Sequence, residues 1–353
     1  MNYPKLEINV RKLEHNARLE VLKLAEYGIK VMGVNKVFNG LTETASAVIR
    51  AGMDIVAESR VKNLIKLQHL QCKKCLLRTT SPSEIEETIR FADISLNSDI
   101  DVLKKISREA VRQNRMHQVL LMVDMGDIRE GIWFEDRDYL EEAVKQVLEL
   151  PNLKMYGLGT NFTCYGTVLP TLENGRLFVR IARELEAQYG IKFKYLSGGN
   201  CTSYHLIEKG RWPEGINHLR IGALHQFGIE YVDVKYLDGF YHSNMDVNRV
   251  VSNLYILKAE IIEVNCKPTV PFGELGLDTF MKPKTFEDRG IRKRGLLALG
   301  YQDVPYDNMW PVDPKIEILG QTFDHTLIAF EVDYTGLLAA CTSESVETVF
   351  VRD

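Results

Sequence analysis

Ile29-Lys30-Val31-Met32-Gly33-Val34-Asn35-Lys36, followed by Val37-Phe38-Asn39-Gly40, opens the pattern that decides the fold. A short apolar run ends at a polar pair, a glycine turn follows, and a helix-like segment begins at Glu43–Ala51. The alternation then recurs. Apolar runs lie near residues 30–36, 55–58, 75–79, 92–97, 118–124, 154–160, 193–197 and 218–222. Between them stand periodic segments such as Arg60–Leu67, Pro82–Arg90, Ile100–Arg112, Tyr139–Leu148 and Leu172–Tyr189. Thr80-Ser81-Pro82 starts one of these with a capping residue and an early proline, with acidic residues behind. Strands that are each followed by a helix or helical turn predict an α/β fold, a (β/α)8 TIM barrel over residues 10–235.

The pattern changes after about residue 235. Val250–Val264, Lys293–Leu299, Lys315–Leu319, Thr326–Val332 and Thr348–Val351 read as strands separated by Gly, Pro and Asp. Lys315-Ile316-Glu317-Ile318-Leu319 alternates with the two-residue period of a half-buried strand. A C-terminal all-β domain over 236–353 is expected. Residues 1–9, whose strand is Lys5-Leu6-Glu7-Ile8-Asn9, are assigned to it.

Composition narrows the function classes. The chain has 353 residues, too many for one ordinary core, with 45% hydrophobic and 26% charged residues. A formal charge of -4 lacks the basic surplus that a nucleic-acid footprint requires. No apolar stretch reaches membrane-spanning length, and Met1-Asn2-Tyr3-Pro4-Lys5 carries no apolar region of a secretion signal. Cysteines stand at 72, 75, 164, 201, 266 and 341. Only Cys72 and Cys75 have metal-like spacing, and no second Cys/His pair follows at zinc-finger distance. Reduced thiols in a cytoplasmic protein, without a metal, are the expectation.

Barrel enzymes carry their chemistry where the strands end. Strand one ends in Lys36. Desolvation there would make its amine a nucleophile toward carbonyls, although an isolated lysine of this kind is more often a snorkelling structural residue. Strand seven ends in Ser197-Gly198-Gly199-Asn200-Cys201-Thr202-Ser203. This segment reads either as an anion cradle or as an ordinary Gly-rich turn. Strand eight carries Arg220-Ile221-Gly222-Ala223, whose glycine adds backbone N–H groups. A phosphate cradle facing a lysine points to pyridoxal 5'-phosphate, with Arg220 placed to meet the ring nitrogen. The rival for Arg220 is a structural ion pair.

These residues together resemble the alanine racemase family of fold-type III pyridoxal phosphate enzymes, and most closely its ornithine racemases. Val34-Asn35-Lys36 resembles the family's lysine segment. Asp124-Met125-Gly126-Asp127-Ile128-Arg129-Glu130-Gly131 resembles its Asp-x-Gly-x-x-Arg-x-Gly segment. The resemblance implies that Arg129 holds the cofactor phenolate oxygen and the substrate carboxylate. Arg220-Ile221-Gly222 resembles the Arg-Pro-Gly segment, and Gly300-Tyr301-Gln302-Asp303 the Gly-Tyr-Ala-Asp segment. The segments Ser197–Asn200 and Leu319–His325 resemble the ornithine-type subgroup. Two departures stand out. Asn161 occupies the place of a histidine that stacks on the cofactor, and Phe272 the place of the tyrosine that serves as second base.

The resemblance implies a racemase that removes and returns the Cα proton of a small α-amino acid, ornithine or another basic one. Lys36 and Arg129 are the implied catalytic residues. Tyr301 and Asp324, with Asp278 and His325 as alternatives, are candidates for the second base. Lys36, Arg129, Asn161, Ser197, Asn200, Thr202, Ser203, Arg220, Gly222 and Ala223 are the implied cofactor contacts. The family's shared active sites imply a homodimer. A fold-type III decarboxylase and a cofactor-carrying regulatory protein are the rivals. The Cys-rich decarboxylase segment is not evident, and the regulatory relatives are single barrels. Glu274, Asp278, Asp303 and Asp324 are acidic residues that could receive a cationic side chain or merely be solvated.

Overall fold

The computed structural model describes residues 3–228, 234–237, 240–243, 254–305, 309–311, 315–330, 338–342 and 346–351. In chain order the first part holds β1 (Lys5–Ile8), α1 (Val10–Ala25), β2 (Lys30–Val34), α2 (Thr42–Arg50), β3 (Ile55–Glu58), α3 (Val61–Lys66), β4 (Lys73–Leu76) and α4 (Ile85–Phe91). There follow β5 (Ile94–Asn97), α5 (Ile100–Arg112), β6 (His117–Asp124), β7 (Ile132–Trp133), α6 (Arg137–Glu149), β8 (Leu153–Gly159) and α7 (Leu172–Tyr189). The last of this part are β9 (Tyr195–Ser197), α8 (Tyr204–Glu208), β10 (His218–Ile221) and α9 (Ala223–Phe227).

The strands run β5-β4-β3-β2-β10-β9-β8-β6, and β5 pairs with β6 to close the ring. The pairs are parallel. This is the expected eight-stranded barrel, and each of its strands falls on an apolar run named above. Every residue of β3 and β5 is buried, as strands covered on both faces require. Met32, Val34, Ala57, Ile94, Leu120, Met122 and Tyr156 pack in one interior cluster.

Three of the helices, α5, α6 and α7, start where a side chain accepts an early amide. Asp99 accepts from Val102, Asp136 from Tyr139, and Thr171 with Asn174 forms a reciprocal capping box. The expected helix start at Thr80-Ser81-Pro82 differs in detail: a short 3-10 turn, Pro82–Glu84, intervenes, and the α-helix begins at Ile85.

The interior also holds histidines. Burial pushes His117 down to about 4 and His218 down to about 3, so both are neutral at pH 7. Ser95 lies 2.7 Å from His117 Nε2, and Ser197 lies 2.8 Å from His218 Nδ1.

By internal contacts the chain divides into two compact units, one built on Val10–Val234, the other of Met1–Asn9, Lys235–His242 and Ser252–Asp353. The second part of the chain holds β11 (Val234–Leu237) and β12 (Phe240–Ser243), then β13 (Tyr255–Pro268), β14 (Ile291–Leu297) and β15 (Met309–Pro311). It continues with β16 (Ile316–Gln321), β17 (Thr326–Phe330), β18 (Leu338–Thr342) and β19 (Val346–Val351). One mainly antiparallel sheet runs β15-β18-β19-β13-β14-β17-β16, with β1 antiparallel to β13. Ala259, Ile261, Leu297, Leu299 and Ile328 form its core. Residues 250–253 and 331–332 of the expected strands lie outside the described residues. Among the described residues, no helix is long and apolar enough to cross a membrane.

Candidate active site

The loops that follow the barrel strands enclose a cavity of about 830 Å³. Lys36, Arg129, Asn161, Asn200, Thr202, Arg220, Gly222 and Ala223 all line it. These residues come from the ends of different strands and are far apart in sequence.

Lys36 differs from the sequence expectation in one respect. β2 ends at Val34, Asn35 is fully buried, and the chain then turns through a single 3-10 turn, Lys36–Phe38. That turn carries Lys36 out of the sheet, so its side chain is exposed on the cavity wall rather than buried.

Arg129 sits in the loop after β6. Asp124 Oδ1 accepts the amides of Gly126 (2.9 Å) and Ile128 (3.1 Å), which curls the loop back over the strand end. Asp127 accepts the amides of Cys164 and Tyr165, tying this loop to the one after β8. Arg129 is ion-paired with Glu130. Burial opposes its charge, but Glu130 more than offsets this and holds the guanidinium above its ordinary value.

Arg220 is 4% exposed and spends its donors on the protein. Nη1 donates to Ser197 Oγ at 2.5 Å, and Nη2 to the Thr160 carbonyl at 2.7 Å and Asn161 Oδ1 at 2.6 Å. Burial lowers it to about 10, so it stays cationic at neutral pH. Asn161 turns its amide nitrogen to Glu130. Arg129, Glu130, Asn161, Arg220 and Ser197 are thus one connected chain of polar contacts.

The Gly-rich loop after β9 is organised by Asn200, whose Oδ1 accepts from the Thr202 amide (3.0 Å) and hydroxyl (2.6 Å). Asn200 Nδ2 donates to the Phe162 carbonyl at 2.8 Å. Ser197 and Ser203 are not among the residues lining the cavity. Both are buried: Ser197 is held under Arg220, and the Ser203 hydroxyl donates to the Gly198 carbonyl at 2.8 Å. Gly222 lies against the end of β2, where a Cβ would stand 3.1 Å from Val34 Cβ and 3.2 Å from its carbonyl oxygen. Its amide donates to Cys201 Sγ at 3.3 Å.

Several cavity residues escaped the sequence reading, Arg78 among them. Glu130 lies inside the arginine segment, and its signal was a carboxylate adjoining a functional arginine. Cys201 lies inside the Gly-rich loop between two assigned residues. Cys164 is near neither motif; only the fold brings it to the wall.

Tyr301, Asp324, Asp278, His325 and Phe272 belong to the β unit. Tyr301 packs against Phe280, ring centroids 4.9 Å apart. Asp324 accepts from the Thr322 hydroxyl at 2.8 Å and pairs with His325 at 3.0 Å. Asp278 accepts the amides of Phe280 and Lys282, a turn-forming role. Phe272 is fully exposed.

Lys36, Arg78, Arg129 and Arg220 face the cavity with one carboxylate, Glu130, among the described residues lining it. A group bearing phosphate, together with a substrate carboxylate, suits that balance. The cavity volume leaves room for a ring and a phosphate. The residues present therefore fit pyridoxal 5'-phosphate.

The chain matches the model of the alanine racemase N-terminal domain over residues 8–227. It is 38% identical to an ornithine racemase of Acetoanaerobium sticklandii, over 98% of this chain and 99% of that protein. It is 35% identical to a lysine racemase of Thermotoga maritima, over 99% of each. Its fold superposes on an alanine racemase of Clostridium difficile with a TM-score of 0.70, at 17% identity, covering 97% of this chain and 86% of that one. Barrel, β unit and full-length similarity agree: the chain belongs to the alanine racemase family.

Proposed function

We propose that this chain is a pyridoxal phosphate-dependent racemase that interconverts L- and D-forms of a basic α-amino acid. One observation carries the reading: a lysine, two arginines and a Gly-rich cradle from different strands meet on the wall of one cationic cavity. Lys36 is the residue to hold the cofactor. Asn200, Thr202, Gly222 and Ala223 are assigned to its phosphate end, and Arg220 to its ring nitrogen. When bound, that group supplies an aldehyde for amines and an electron sink that loosens the Cα–H bond.

The remaining chemistry belongs to the chain. Arg129 receives the substrate carboxylate, and Glu130 braces Arg129. Lys36 Nζ takes or returns the Cα proton on one face. Arg220, cationic and tied to three acceptors, does not yield a proton to a ring nitrogen at neutral pH. Proton return, rather than deeper bond breaking, is the chemistry such a site favours. Tyr301 and Asp324 are the candidate donors for the second face. Of these, Tyr301 carries a hydroxyl and Asp324 is already engaged by Thr322 and His325.

The substrate class rests on similarity. The full-length relatives cited are named for ornithine and lysine. Among the described residues lining the cavity, the one carboxylate, Glu130, is taken by Arg129, so Glu274, Asp278, Asp303 and Asp324 remain the candidates for a substrate's side-chain ammonium. By family likeness the working form is a homodimer with shared active sites. Free cysteines such as Cys72, Cys75 and Cys201 support a reducing, cytoplasmic setting.

The test is incubation of the cofactor-loaded protein with L-ornithine, L-lysine or L-alanine in heavy water. Optical rotation and Cα deuteration are scored together. Loss of rotation with deuteration, strongest for ornithine or lysine, is the expected result. Deuteration without inversion, or carbon dioxide release, would overturn it.

A further inference from the structure

A buried carboxylate stands beside the turn that carries Lys36. Glu58, the last residue of β3, is 0% exposed. The pairing of Val34 with Ala57 sets Asn35 level with it. Asn35 Nδ2 donates to Glu58 Oε1 at 3.0 Å, and the Gly40 amide donates to the same oxygen at 3.1 Å. Asn63 Nδ2, from α3, donates to Oε2 at 3.2 Å. Among the described residues no Lys or Arg forms an ion pair with Glu58, and burial pushes its carboxyl above the usual range.

The placement of these donors matters more than their number. Asn35 precedes Lys36 and Gly40 closes the same turn, so one oxygen clamps both ends. Every other support converges on the same six residues. The Thr44 hydroxyl donates to Asn35 Oδ1 at 2.9 Å, and Lys66 Nζ donates to the Asn39 carbonyl at 2.7 Å. Gly40 has φ +75°, and a Cβ there would lie 2.9 Å from the Asn63 carbonyl oxygen. Asn39 is itself left-handed at φ 52°. The turn's own backbone bonds, Phe38 N–H to Asn35 and Asn39 N–H to Lys36, are supplemented by the residues around it. Charge-assisted hydrogen bonds donated to a buried carboxylate are strong supports for this purpose.

We propose that Glu58 is a positioning residue for the reaction: through Asn35 and Gly40 it fixes the turn that presents the Lys36 amine to the cavity. The proposal rests on the reading of Lys36 as the cofactor lysine. A core residue that merely stabilised α3 would have no reason to spend two of its three contacts on this turn.

Glu58→Ala removes all three acceptor contacts. Glu58→Gln keeps an acceptor for Asn35 and Gly40 and turns an amide toward Asn63. Asn63 Oδ1 is buried and without a hydrogen-bond partner, so a flip of the Asn63 amide would receive it. The experiment measures four quantities on the full chain: pyridoxal 5'-phosphate affinity by visible absorbance, the rate of cyanoborohydride trapping on Lys36 by peptide mass, kcat and KM, and melting temperature. Glu58→Ala should weaken cofactor affinity and slow trapping by about tenfold each, and lower kcat while leaving the amino-acid KM within about twofold. Glu58→Gln should stay within about threefold of the parent on all counts. Ser107→Ala, which removes the hydrogen bond from Ser107 of α5 to the Pro151 carbonyl, serves as a control that melts lower with unchanged affinity.

Unchanged affinity and trapping in a folded Glu58→Ala protein would overturn the proposal. If that variant does not fold, Asn35→Ala decides: it cuts one link only, and a drop of about fivefold in trapping supports the clamp, whereas no change refutes it. Lys36→Ala keeps the two readings apart. If it leaves the visible band intact, the reading of Lys36 fails; if it abolishes the band while Glu58→Ala behaves as the parent, only the clamp fails.

Discussion

Arg220→Lys probes the buried end of the site most sharply. The guanidinium reaches Ser197 Oγ, the Thr160 carbonyl and Asn161 Oδ1 from two nitrogens in a fixed plane. A single ammonium on a shorter stem cannot reach all three, so one or two buried acceptors lose their donor. Each unmet buried partner costs about 1–3 kcal/mol, so the variant should lose about 2–5 kcal/mol. For a unit of this size that corresponds to a melting temperature lower by about 5–15 °C. The titration carries a second prediction. Burial lowers Arg220 to about 10. The same burial lowers an amine, whose ordinary pKa is about 10.4, toward the neutral range. The variant should therefore show a pH-dependent transition below the ordinary lysine range in the cofactor's visible absorption, absent from the parent. Thermal unfolding and a pH titration from 6 to 9 measure both. A melting temperature within about 2 °C of the parent, with no new transition, would refute the network described around Arg220.

Other expectations follow from separate parts of the molecule. His117 and His218 are neutral in the fold, pushed to about 4 and about 3 by burial. The unfolded chain binds protons at both near pH 6.5 and the folded chain does not, so stability is full above that pH and falls as pH drops toward 4. Between pH 7 and 5.5 the loss should be about 2 kcal/mol in urea unfolding of the barrel, and His218→Gln should roughly halve it. A flat profile contradicts the neutral buried pair. Gly222→Val places a side chain against Val34 and should weaken pyridoxal phosphate binding by at least about tenfold in a spectral titration; equal affinity would remove Gly222 from the cradle. Tyr301→Phe should retain Cα deuteration of one enantiomer while interconversion slows by about a hundredfold. Equal rates with both enantiomers would exclude Tyr301 as second base, and Asp324→Asn is then the variant to compare.

Much of the barrel was legible because its strands are short, mostly apolar and followed by helical segments, a few with their own start signal. The β unit was legible in kind but less in detail. β15 and β18 carry little alternation, since Met309-Trp310-Pro311 and Leu338-Ala339-Ala340-Cys341-Thr342 do not separate polar from apolar faces. At the site, the sequence motifs led to residues that line one cavity, as with Lys36, Arg129 and Arg220. The hydroxyls were over-assigned. A serine in a Gly-rich loop looks like a phosphate ligand, but Ser197 and Ser203 are consumed by Arg220 and the Gly198 carbonyl. The exposure of Lys36 was also hidden, because sequence does not reveal that the strand stops two residues before it. Glu58 acts through contacts with residues on other elements, and such contacts leave no local signature.

The account turns on one amine. Reduction of the cofactor-loaded protein with borohydride, followed by proteolysis and peptide mass mapping, locates the lysine joined to pyridoxal phosphate. Modification at Lys36, lost in Lys36→Ala, is the predicted result. Modification at Lys30 or Lys74 with Lys36 untouched would contradict the assignment of the site.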